Sequence, residues 1–92
     1  MVSVAADAPL VPNAVALPDS GRYRSLRSFE DTLEFYRRQF KNKGEVRWLH
    51  IVNRPGIKAL HIENMDKHGL WEGLNVYEYR GDTRIYILRP QK

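Results

Sequence analysis

The run from Val46 to Ile62 limits the possible folds of this chain more than any other stretch. Within it, Arg54-Pro55-Gly56-Ile57 puts Pro and Gly at the two central positions of a type II turn. Proline presets φ there, and glycine takes the positive φ at little cost. Val46 to Asn53 and Ile57 to Asn64 are therefore predicted to pair as an antiparallel hairpin. In an unbroken ladder with Val52 opposite Ala59, one face carries Leu49, Ile51, Leu60 and Ile62. The other carries Trp48, His50, Val52, Ala59, His61 and Glu63, with His50 directly opposite His61. A one-residue slip would mix the two sets, because side chains alternate between faces.

A second hairpin follows a polar turn at Met65 to Gly69. Leu70 to Arg80 alternates in character, Gly81-Asp82 is predicted as a two-residue loop, and Thr83 to Arg89 returns. Pairing Arg80 with Thr83 sets Val76 against Ile87 and Glu78 against Ile85. On the opposite face it sets Tyr77 against Tyr86, Tyr79 against Arg84, and Asn75 against Leu88. The tripeptide Arg80-Gly81-Asp82 spells an adhesion motif, but hairpin geometry accounts for it fully.

Two sheet halves with an aliphatic side need something to cover it. Ser28 with Asp31 three residues later has the form of a capping box. From there Phe29, Leu33, Tyr36 and Phe40 recur at helical spacing. Lys41, Asn42, Lys43 and Gly44 suit the carbonyl end. Phe35 lies off the stripe, either covered by the N-terminal arm or a partner or left as a single exposed aromatic, which needs no function. Upstream, Pro18-Asp19-Ser20-Gly21 reads as a turn leading into an edge strand from Arg22 to Leu26.

The expected fold is α+β: one amphipathic helix on a four- to five-stranded antiparallel sheet, in the order β-α-β-β-β-β. Residues 19–92 form that single domain. Residues 1–18, broken by Pro9, Pro12 and Pro18, form an extended or disordered arm. Ninety-two residues without cysteine leave neither disulfides nor thiolate metal sites to hold the fold, so helix-on-sheet packing must do so. No apolar run approaches the roughly 20 residues that cross a bilayer. The formal charge of +4 favours anionic partners, although the Lys and Arg residues are scattered. Val2 to Asp7 has the small-residue character of the end of a secretory leader. Export to the periplasm or beyond is the expectation, with a cytoplasmic protein as the alternative.

A helix carrying Phe35-Tyr36, a Trp48-bearing strand and a sheet ending Tyr86-Ile87-Leu88 together resemble small uncharacterised bacterial envelope domains, in which an FYxxxL helix precedes a GW strand. Here Phe40 stands at the Leu position, and Glu45-Val46-Arg47 separates Gly44 from Trp48. What the resemblance implies is an exported, non-enzymatic module.

The expected working surface is the non-aliphatic sheet face: Trp48, His50, His61, Glu63, Asn75, Tyr77, Tyr79, Arg84 and Tyr86. So much aromatic surface calls for a partner, whether the arm, a second copy in a homodimer, or a bound protein or ligand. Nucleic acid is a less favoured partner, and no cofactor or metal is expected. The alternative is single-strand nucleic-acid binding, or a metal-independent ribonuclease in which His50, His61, Glu63 and Arg84 supply acid, base and cation. A two-His, one-carboxylate metal site from the same residues is a further option, short of a fourth ligand.

Overall fold

The computed structural model describes residues 3–5, 8–18, 21–40, 45–66 and 71–89, with backbone alone for 3–5. The expected leader-like segment, the Asp19-Ser20 turn, the Lys41–Gly44 helix end and much of the Met65–Gly69 turn fall wholly or partly outside these residues. Among the described residues, a single helix and a six-stranded antiparallel sheet make the fold α+β.

Ser28 starts the helix, α1 (Phe29–Gln39). Its extended backbone and its hydroxyl, which accepts from the Asp31 amide at 3.0 Å, satisfy one of the orphan N–H groups of the first turn. Thr32 is fully buried one turn in, and its hydroxyl lies 2.8 Å from both the Ser28 carbonyl and Ser25 Oγ. Phe29, Leu33 and Tyr36 bury the predicted stripe, and Phe40 is partly buried beside them.

The strands are β1 (Ser3–Ala5), β2 (Ala8–Leu10), β3 (Val15–Ala16), β4 (Arg22–Arg24), β5 (Val46–Arg54), β6 (Ile57–Asn64), β7 (Gly73–Tyr79) and β8 (Asp82–Leu88). The main sheet runs β3-β4-β8-β7-β6-β5, while β1 and β2 pair separately. The sheet has more strands than expected because the N-terminal segment supplies β3. That strand lies outside β4, so Arg22–Arg24 is not the edge.

Leu60, Ile62, Leu74, Val76, Ile85 and Ile87 line the sheet's inner face beneath the helix, all nearly fully buried. Burying each such side chain contributes roughly 1.5–3 kcal/mol. Ala8, Leu10 and Val11 join the same core, and the Tyr36 hydroxyl donates to the Pro9 carbonyl at 3.0 Å. The segment assigned to the arm thus packs on the helix side. Phe35 is buried within this core as well. Trp71, which the alternation argument passed over, closes one end, with its ring 5.7 Å from that of Phe40.

Two register expectations are corrected. The β5–β6 ladder is not regular: His50 pairs with Leu60 and Val52 with Ala59, so Ile51 is an extra residue in a β-bulge. Beyond it every β5 side chain changes face. Trp48 lies opposite Ile62 and Leu49 opposite His61. Trp48 therefore turns inward against the core, while Leu49 and Ile51, expected inside, are 40% and 59% exposed.

The β7–β8 loop is Arg80-Gly81, not Gly81-Asp82. Both residues have positive φ, 53° and 81°, as a type I′ turn demands, and Tyr79 pairs with Asp82. The partners therefore shift by two residues: Val76 faces Ile85 and Tyr77 faces Arg84. An even shift preserves the faces, so the division of β7 and β8 into aliphatic and aromatic sides holds.

Candidate functional site: the outer sheet face

The pairings place His61, Glu63, Asn75, Tyr77, Tyr79, Arg84 and Tyr86 together on the face away from the helix. Trp48 and His50, expected with them, are on the other side. His50 opens instead onto a cleft of about 300 Å³ between α1 and the β5–β6 hairpin, lined also by Phe29, Leu33, Arg37 and Lys58. His50 and His61 therefore do not face each other, and the acid–base pair required for the ribonuclease alternative is not assembled. Among the described residues, no three His, Asp or Glu side chains cluster as metal ligands.

The face also gains residues that sequence reasoning missed. β4 lies against β8, with Arg22 opposite Tyr86 and Arg24 opposite Arg84. At the far side, Arg47 pairs with Glu63 and Arg54 with Ile57. Among the described strand residues, five arginines thus share the face with two carboxylates, Glu63 and Asp82. The side chains of this face are half-buried or exposed.

Local contacts hold these groups in place. The Arg22 guanidinium sits 4.3 Å from the centre of the Tyr86 ring, and its Nη1 donates to the Tyr77 hydroxyl at 3.2 Å. This fixes two rings and a cation from three strands as one unit. Asp82 accepts from Arg84 Nε at 2.9 Å and from Arg24 Nε at 3.0 Å. The Arg84 hydrogen bond is the main reason its carboxyl titrates below the ordinary range, partial desolvation opposes the shift, and the charges of both arginines add to it. Arg84 is correspondingly raised by Asp82. Arg47 Nη2 lies 2.7 Å from Glu63 Oε1.

His61 Nδ1 lies 2.6 Å from Asn75 Oδ1. The ring rests on the backbone of Gly73, where an added Cβ would come within 2.8 Å of His61 Cε1. No family model, curated protein or solved structure matches this chain.

Chemically, the face offers planar guanidinium forks for carboxylates, sulfates or phosphates, set between aromatic rings that accept flat or apolar groups. Tyr79 is 53% exposed, with the Arg80 guanidinium 5.1 Å from the centre of its ring.

Proposed function

We propose that this protein is a non-enzymatic binding module whose outer sheet face engages an anionic partner. One observation carries the reading: on the outer face of the described strands, five arginines are interleaved with Tyr77, Tyr79 and Tyr86 against two carboxylates. Each carboxylate already has an arginine at hydrogen-bond distance, so the excess charge is cationic. Such a surface draws polyanions by displacing their counterions and fixes them through guanidinium contacts. An exported protein of the kind the sequence resembles fits this reading, as does the basic balance of the whole chain.

The test is titration of the full chain with poly-L-glutamate and with oligothymidylate at low ionic strength. The expected result is binding that weakens as salt rises and is reduced in an Arg22→Ala, Arg84→Ala double variant. If neither polyanion binds, the proposal fails.

Self-association is a second reading, favoured by the exposed apolar side chains of Leu49, Ile57 and Tyr79. Stacking two copies face to face would also bring two arginine-rich surfaces together. Like charges brought together repel, so such a dimer is expected to form only at high salt. Light scattering across a salt series distinguishes it, because polyanion binding and sheet stacking respond to salt in opposite directions.

A further inference from the structure

The two edges of the main sheet are unequal. On the β3 side the edge is two residues long, whereas β5 runs for nine and pairs only with β6 among the described strands. A long edge of this kind presents a row of backbone N–H and C=O groups able to accept another strand. Leu49 and Ile51 add exposed apolar side chains to it.

Charge decides which strand fits. From Val46 to Ile62 there is no Asp or Glu, while Arg47, Arg54 and Lys58 are cationic. A second copy pairing edge to edge would set one cation-bearing strand against another, and like charges in register are destabilising. The bulge at Ile51 also interrupts the edge, leaving Val46–His50 as a regular stretch of five residues.

We propose that this edge of β5 takes an acidic, extended peptide segment as an added strand, paired along Val46–His50. The inference rests on the anion-binding reading given above and names the partner's class. Main-chain hydrogen bonds would supply affinity, and side chains alternating between the two faces would supply selectivity. On the outer face a carboxylate suits the position across from Arg47, and an apolar residue the position across from Leu49. On the helix side a second carboxylate suits the position across from His50. Arg47 uses Nη2 on Glu63, its side chain is 60% exposed, and a guanidinium has further N–H donors to offer.

The experiment uses the full chain and a short fluorescent peptide alternating acidic residues with valine, followed by anisotropy. Its control is the same peptide N-methylated at alternate residues, which keeps the charge but removes strand pairing. Saturable binding to the first peptide is expected, at least tenfold weaker for the N-methylated form and at least tenfold weaker for Leu49→Glu and Arg47→Glu variants. Amides of residues 46–50 should gain protection from hydrogen exchange, and those of β3 should not. Equal binding of both peptides would overturn strand addition while leaving the anion-binding face intact. So would binding of poly-L-glutamate but not of the alternating peptide. Binding of neither, with no binding of oligothymidylate either, would overturn both.

Discussion

Replacing Tyr36 with Phe tests how the N-terminal segment is held and gives two magnitudes with opposite pH behaviour. Tyr36 is fully buried, its ring lies 5.1 Å from that of Phe35 and 6.0 Å from that of Phe40, and its hydroxyl donates to the Pro9 carbonyl. Phe keeps the ring contacts and loses only the hydrogen bond. Pro9 is itself half-buried, so its carbonyl can recover some hydration. The variant should then be less stable than the wild type by about 1 kcal/mol at neutral pH.

At alkaline pH the order changes. Burial pushes the Tyr36 phenol well above its ordinary value, so the folded state holds this proton more tightly than the unfolded chain does. The stabilisation is complete below the unfolded-state value of about 10 and is lost as pH rises beyond it. One unit above that value, the wild type loses about 1.4 kcal/mol that Tyr36→Phe does not lose. The other four tyrosines are common to both proteins and cancel in the difference. Urea unfolding followed by tryptophan emission at neutral pH and at about pH 10 and 11 should show the two stabilities converging and then crossing. A constant gap across that range would refute a buried Tyr36, and with it the docking of residues 8–11 on the helix.

Three further predictions follow from local geometry. Deleting Ile51 removes the bulge and leaves His50 and Val52 adjacent, still opposite Leu60 and Ala59; stability should change by no more than about 1 kcal/mol, with unchanged Trp48 emission, and a loss of several kcal/mol would place Ile51 in the core. Ser28→Ala removes the acceptor for the Asp31 amide and should cost about 1 kcal/mol in thermal or urea unfolding. In an NMR titration Asp82 should protonate below the usual carboxylate range, and Arg84→Ala should raise its midpoint more than Arg24→Ala, because the Arg84 hydrogen bond is the larger cause.

Much of this fold was legible in local pattern. The Ser28 cap with the Phe29, Leu33, Tyr36 and Phe40 stripe gave the helix, and strict alternation gave the faces of β6, β7 and β8 correctly. The β5 strand misled because both of its alternating sets, Trp48 with His50 and Leu49 with Ile51, contain large apolar groups. Alternation alone could not rank them. An extra residue without Gly or Pro leaves no local mark either, and the packing of Trp48 against the core decides which set turns inward. The hairpin loop was misplaced by one residue because Asp82 suits a turn by composition, yet it serves on the strand between Arg24 and Arg84.

Contacts distant in sequence were illegible for a different reason. Tyr36 meets Pro9 across 27 positions and Arg22 meets Tyr77 across 55. No periodicity within either segment encodes its partner. This is why the basic character of the outer face, which depends on β4 lying beside β8, emerged only in three dimensions.

The contact between His61 and Gly73 ties two positions on neighbouring strands into a single inherited unit. The imidazole, with the Ile62 carbonyl beside it, occupies space that a side chain at position 73 would need, so position 73 cannot enlarge while His61 stays in place. In related sequences a residue larger than glycine at 73 should travel with a residue smaller than histidine at 61. Asn75, left without the ring it touches, should then vary as well. Covariation among these three columns would record the packing of this face even where its arginines have changed.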